Sequence, residues 1–149
     1  MARALSSETL HATSVAIDGR AVLLMGPSGS GKSDLALRLI DRGAMLVSDD
    51  YTLVKRVDGT LIATAPATIA GKMEVRGIGI VDLPTAGEAP VALLIDLLET
   101  IDRMPFDMRR RTLAGIDVPI ARVAPFEISA AIKVELALKA LGLKDAGPA

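Results

Sequence analysis

Eight consecutive residues, Gly26-Pro27-Ser28-Gly29-Ser30-Gly31-Lys32-Ser33, constrain this chain more than any other stretch. They fit G-x-x-x-x-G-K-[ST], the pattern of a phosphate-binding loop. The apolar run before them, Ala21-Val22-Leu23-Leu24-Met25, reads as a buried strand. The run after them, from Asp34 to Arg42, reads as a helix with Leu35, Ala36, Leu39 and Ile40 on one face. The motif therefore sits at a strand–loop–helix junction, the context it requires. Glycines let successive backbone N–H groups turn inward around an anion, and the helix start adds its own unpaired N–H groups and dipole. Lys32 reaches the outer phosphates, and the Ser33 hydroxyl is a magnesium ligand by type. With glycine at roughly 7%, such a pattern arises by chance in about one chain in 200 of this length. Gly26, Pro27, Ser28, Gly29, Ser30, Gly31, Lys32, Ser33 and Asp34 are thus the expected nucleotide contacts.

The rest of the composition narrows the field. With 149 residues, half of them hydrophobic, the chain suits one domain with one core, and it is read as a single unit over 1–149 with an ordered core from about 10 to 142. The formal net charge is −1. The one basic block, Arg109-Arg110-Arg111, reads as a solvated loop, so no nucleic-acid partner is expected. The chain has no cysteine, which excludes disulfides and thiolate metal sites and fits a cytoplasmic location. No apolar run is long enough to span a membrane, and residues 1–8 lack the apolar stretch of a signal peptide, so no membrane association is expected. Aromatic residues are scarce: Tyr51, Phe106 and Phe126. A stacking platform for single strands is disfavoured, and a bound adenine would sit against aliphatic groups.

Punctuation along the chain gives a coarse organisation. Asp18-Gly19 and Asp58-Gly59 each separate two apolar runs and read as hairpin turns. Gly43 closes the first helix, and Ala44–Ser48 is a short strand stopping at Asp49-Asp50. Residues 73–82 read as one strand-like segment, 84–90 as a turn-rich break, and 91–97 as the most apolar strand. Residues 99–112 read as charged and mobile, 116–124 as a strand broken by Pro119, and 129–141 as a helix closed by Gly142. Two hairpins beside a phosphate loop mean an α/β fold with a mixed sheet rather than a uniform β-α-β succession.

Beyond the loop, three groups could carry chemistry. Asp49-Asp50 falls just past a strand end, where ligands gather in open α/β sheets. One acid could hold magnesium and the other take the proton of an attacking hydroxyl; alternatively, the pair is an ordinary strand-end turn. His11, the only histidine, reads either as a member of the site or as a solvent-exposed residue. Glu74 and Arg76 alternate on one segment and would share a face. Arg76 is either a clamp for a transferred phosphoryl group or half of a surface ion pair. Gly77 and Gly79 would allow close backbone approach.

The segments His11-Ala12-Thr13-Ser14-Val15-Ala16-Ile17-Asp18-Gly19, the phosphate loop, Arg42-Gly43-Ala44-Met45-Leu46-Val47-Ser48-Asp49-Asp50 and Glu74-Val75-Arg76-Gly77-Ile78-Gly79-Ile80 come in a telling order. In order and spacing the chain resembles the catalytic domain of HPr kinase/phosphorylase, from about residue 10 to 142. The Glu-[Ile/Val]-Arg-Gly-x-Gly segment is that family's second signature. The resemblance implies ATP- and magnesium-dependent phosphorylation of a serine on HPr, the phosphocarrier of the sugar phosphotransferase system, or on an HPr-like protein. It also implies a reverse reaction in which phosphate attacks the seryl phosphate, a phosphoenolpyruvate-carboxykinase-like fold, and a homo-oligomer, a hexamer. Carried over, Asp49 would be the general base, Ser33, Asp50 and Glu74 the metal ligands, and His11, Lys32 and Arg76 the groups around the transferred phosphoryl.

Two departures stand out. Longer members carry a further N-terminal domain, and the chain reads as the catalytic core alone. Before the last helix they carry a Pro-Val-Arg-Pro-Gly-Arg-Asn-like segment that contributes to docking and phosphate handling. Here Arg122-Val123-Ala124-Pro125-Phe126-Glu127-Ile128 keeps the proline but neither following arginine, and Glu127 brings the opposite charge. The expectation is a kinase with weak phosphorylase activity. Two other readings remain: a small-molecule kinase using Arg103, Arg109, Arg110 and Arg111 as a lid, and a non-enzymatic nucleotide sensor.

Overall fold

The structure, a computed structural model, describes residues 6–104 and 108–144. Its first strand, β1 (Ser7–Leu10), is followed by β2 (Ala12–Ile17) and β3 (Arg20–Met25). Asp18 and Gly19 take positive φ of 50° and 80°, which suits the tight turn between paired, twisted strands. They set β2 antiparallel to β3 from Ala12↔Met25 to Ile17↔Arg20. Residues 11–13 therefore lie beside the exit of β3, where the phosphate loop begins.

Helix α1 (Lys32–Asp41) buries Leu35, Ala36 and Leu39 against the sheet. Each buried leucine contributes roughly 1.5–3 kcal/mol. The helix closes on Gly43 (φ 111°), whose N–H donates to the Ile40 carbonyl while that of Ala44 reaches Leu39. That paired closure needs a left-handed residue just past the helix, which glycine supplies without strain. The chain returns as β4 (Met45–Ser48), antiparallel to β2. The second Asp-Gly turn joins β5 (Thr52–Val57) to β6 (Thr60–Thr64).

Residues 73–82 do not form one strand. β7 (Lys72–Val75) and β8 (Gly79–Asp82) pair with each other as a separate two-stranded sheet. Gly77 and Gly79, at φ 84° and 113°, permit the reversal. Arg76 therefore stands in the turn and not on the strand face expected for it beside Glu74. The break read over 84–90 is shorter than expected, because β9 (Glu88–Leu97) begins before Pro90.

β9 organises the sheet. Residues 88–90 pair antiparallel with β6, whereas residues from Val91 onward run parallel to β3. Its far half also runs parallel to β11 (Ile116–Val123), against which β10 (Arg109–Leu113) lies antiparallel. The stretch read as charged and mobile is thus partly strand, while Phe106 lies outside the described residues. The main strand order is β1-β5-β6-β9-β3-β2-β4. Alternation along β3 divides two cores. Val22 and Leu24 face α1 and α2 (Ala130–Leu141), and Ala21 and Leu23 face the half-sheet of β5 and β6. Arg42 on α1 grips Glu135 on α2, with Nη2 2.7 Å from Oε1. The hydrogen bond to Glu135, and then its charge, raises the Arg42 pKa above its usual value. A guanidinium is charged on either side of that change, so the shift itself adds no pH dependence near neutrality.

Candidate active site

Four segments that are distant in sequence meet at the exit of β3. The phosphate loop is one. Gly31, at φ 97°, caps α1 without a side-chain hydrogen bond. The first N–H groups of the helix are thereby left for an anion. The Lys32 ammonium is buried and donates to the carbonyls of Gly26 and Pro27 at 2.8 and 3.0 Å. The lysine is stored against the loop whose ligand it would meet. The Ser30 hydroxyl is buried without a hydrogen-bond partner among the described residues. It lies across the loop from Gly26, where an added Cβ would stand only 2.6 Å from Ser30 Oγ.

The two acids separate completely. Asp49 is 7% exposed, and three donors hold its carboxylate. Ser33 Oγ and Thr13 Oγ1 donate to Oδ1 at 2.6 and 3.1 Å, and the Glu74 N–H donates to Oδ2 at 3.1 Å. Asp50 adopts a left-handed backbone, φ 67°, which turns its side chain out into the open. Aspartate tolerates that region better than most residues. The Asp50 N–H is tied to Thr13 Oγ1 at 3.1 Å. Oδ1 of Asp50 accepts from His11 Nε2 at 2.8 Å, and the imidazole stacks on Tyr51 with centroids 5.1 Å apart. A buried set of hydroxyls supports this corner. Ser14 and Thr52 hydrogen-bond at 2.8 Å, Thr52 Oγ1 donates to the Ala12 carbonyl, and Ser48 Oγ donates to the Tyr51 carbonyl.

A cleft of about 580 Å³ opens over the loop. Ser28, Gly29, Gly31, Lys32, Ser33 and Asp34 of the loop and helix start line it. Leu37, Asp50, Glu74, Val75, Arg76 and Phe126 complete the lining. Gly26, Pro27, Ser30, Asp49 and His11 lie behind this lining rather than in it. Among the described residues, Arg103, Arg109, Arg110 and Arg111 do not line the cleft, and the last three belong to β10. Glu127 does not line it either, and its carboxylate lies 3.2 Å from Lys133 Nζ on α2. Of the lining residues, sequence reasoning missed Leu37, Val75 and, most informatively, Phe126. It was visible as one of few aromatics, but nothing local relates it to Gly31.

The residues suit magnesium and a nucleotide. Ser33 Oγ and Asp49 Oδ1 are hard oxygen donors 2.6 Å apart, close to the roughly 3 Å that separates neighbouring ligands of an octahedral magnesium. Glu74 adds a carboxylate at the cleft wall. Among the described residues no cluster of three or more His, Cys, Asp or Glu forms a ready-made cage. Magnesium held by one or two carboxylates and substrate phosphates does not need one. Among the described residues, no helix is long and apolar enough to cross a membrane.

Comparison with known proteins agrees with this geometry. The sequence model of the HPr Serine kinase C-terminal domain matches residues 3–147. The HPr kinase/phosphorylase of Lactobacillus acidophilus is 30% identical over 156 aligned positions, covering 96% of this chain and 48% of that protein. The corresponding protein of Clostridium tetani is 46% identical over 82 residues, covering 54% of this chain and 27% of the relative. The chain thus spans between about a quarter and a half of the length of these curated relatives. Among solved structures, the Hpr(Ser) kinase/phosphatase from Coxiella burnetii superposes with a TM-score of 0.77 at 30% identity, covering 89% of this chain and 88% of that one. Matched over nearly its whole length in sequence and in fold, this chain belongs to the HPr serine kinase C-terminal domain family.

Proposed function

We propose that this domain transfers the γ-phosphoryl group of ATP, with magnesium, to a serine of HPr or an HPr-like phosphocarrier in the cytoplasm. The observation that carries the reading is the division of the acid pair. Asp49 lies against the phosphate-loop serine, and Asp50 faces the open cleft beside His11.

The roles follow from that division. The phosphates of ATP lie along the loop and the start of α1, and Lys32 leaves the carbonyls of Gly26 and Pro27 to meet the outer phosphates. Ser33, Asp49 and Glu74 would hold magnesium. When bound, magnesium neutralises charge on the phosphates and on the transferring group. The geometry favours exchanging the two acids relative to the sequence expectation. Asp49 is buried, held by three donors and outside the cleft lining, which suits a metal-side group better than the base. Asp50 is exposed, so it is the base and not a ligand. His11 Nε2–H orients the Asp50 carboxylate. In the transfer, the seryl oxygen bonds to the γ-phosphorus and its proton passes to Asp50. The bond to the bridging oxygen breaks, and ADP leaves. Arg76, at the tip of the β7–β8 turn, closes on the equatorial oxygens. Catalysis is then mostly positioning and electrostatics.

Radiolabelled γ-phosphate offered with HPr and with cell metabolites separates this reading from its rival. Label on the phosphocarrier supports it; label on a metabolite indicates a small-molecule kinase. The absence of Arg103 and the β10 arginines from the cleft lining already weighs against the lid which that rival needs. The hexameric homo-oligomer belongs to the same proposal. Ile128, Ile132 and Leu136 form an exposed apolar row on and just before α2 that such an assembly would cover.

The direction of the reaction is a separate expectation. Phosphate attacking a phosphoserine brings two anions together, and both need cations. The cleft lining offers Lys32 and Arg76 against Asp34, Asp50 and Glu74. Each missing charge-assisted hydrogen bond costs about 1.5–3 kcal/mol. Phosphorolysis should therefore run at least about tenfold slower than the kinase reaction. Pyrophosphate release from seryl-phosphorylated HPr in millimolar phosphate measures this, and comparable rates would show that the missing arginines are dispensable.

A further inference from the structure

Phe126 is 72% exposed, although it is one of only two phenylalanines in a chain with few aromatics. It is also the one aromatic side chain of the cleft lining among the described residues. Its position is fixed from both sides. Arg38 on α1 donates through Nη2 to the Pro125 carbonyl and through Nη1 to that of Glu127 at 3.2 Å. The Glu127 N–H reaches the Ala124 carbonyl at 3.3 Å, and the Ala130 N–H reaches that of Glu127 at 3.1 Å. This β11–α2 connection is thus clamped onto the helix that starts in the phosphate loop. One edge of the ring rests on the loop's last glycine. A Cβ at Gly31 would stand 3.2 Å from both Phe126 Cε1 and Cζ. The rest of the ring is largely exposed. An exposed aromatic ring on a backbone clamped beside the phosphate loop offers a flat apolar face on which a π-system can stack.

We propose that Phe126 is the specificity-determining contact for the nucleobase, stacking the purine of the nucleoside triphosphate whose phosphates occupy the loop. The inference rests on the nucleotide-binding reading above and deepens it. The base meets an aromatic surface, not the aliphatic surroundings expected from composition. The same change that removes the arginines before the last helix thus supplies a base contact in their place.

Calorimetric titration of the purified chain with Mg-ATP and with Mg-tripolyphosphate tests it, using the natural chain, Phe126→Ala and Phe126→Trp. Base stacking predicts that Phe126→Ala weakens ATP binding by roughly five- to a hundredfold while tripolyphosphate affinity stays within about twofold. Phe126→Trp should retain ATP affinity. Because the chain has no other tryptophan, its fluorescence should be quenched by ATP and not by tripolyphosphate. An alanine variant that loses both ligands equally would make Phe126 a support for Gly31 and overturn the proposal. Unchanged ATP affinity, or a tryptophan blind to ATP, would also overturn it. If the natural chain binds tripolyphosphate as tightly as ATP, the base contact falls and the phosphate site stands. If it binds neither, the nucleotide reading itself falls.

Discussion

Lys32→Ala abolishes phosphoryl transfer and weakens ATP binding. Lys32 is the only cation in the loop, and it is buried where a triphosphate carrying several negative charges would lie. Charge opposed to charge at such a depth is screened far less than at the surface. Removal of a single preorganised donor from a transition state costs about two to three decades of turnover, and loss of a full charge sets that as the lower end. The substitution also releases the Gly26 and Pro27 carbonyls, so a stability loss of about 1–2 kcal/mol is expected alongside. Thermal melting of the unliganded variant separates the two effects. A folded Lys32→Ala protein with near-normal turnover would remove the phosphate loop from the mechanism.

Asp50→Asn and Asp49→Asn give opposite phenotypes. Loss of a general base costs about two to four decades, so Asp50→Asn should lose turnover on that scale with ATP affinity unchanged. Its stability should hardly move, because the side chain is exposed. Asp49→Asn should raise the magnesium requirement and also destabilise the fold. An asparagine must present an NH₂ group to at least one of the donors from Ser33, Thr13 and Glu74, and a buried mismatch of this kind costs about 1–3 kcal/mol. Turnover against magnesium concentration, with denaturant melts of both variants, reads the turnover, magnesium and stability effects. A collapse of turnover in Asp49→Asn with normal magnesium dependence would restore Asp49 as the base.

What was legible in the sequence was local. The phosphate loop, the buried face of α1 and the turns at Asp18-Gly19 and Asp58-Gly59 each follow from a few neighbouring residues with strict backbone demands. The β10–β11 turn was not announced, because Ala114 takes the left-handed conformation, φ 48°, where asparagine or aspartate is usual. Without that signal, Arg109–Leu113 reads as a charged loop. β1 is short and polar and is paired by distant β5, so periodicity had little to work on. Asp49 and Asp50 are neighbours with the same chemistry. Only the left-handed turn at Asp50 and the reach of Ser33 tell them apart, and both belong to the tertiary structure. Phe126 meets Gly31 across about two thirds of the chain's length, which is why its place in the cleft lay beyond any local pattern.

What separates a protein serine kinase from a mere nucleotide site is a phosphorylated acceptor. The most direct measurement is phosphoamino-acid analysis with peptide mapping of HPr from the same organism after incubation with the purified chain and Mg-ATP. Phosphoserine is expected at one site, formed by the natural chain and lost with Lys32→Ala and with Asp50→Asn. ATP binding with no phosphoserine on any HPr-like acceptor, or transfer that survives in Asp50→Asn, would contradict that expectation.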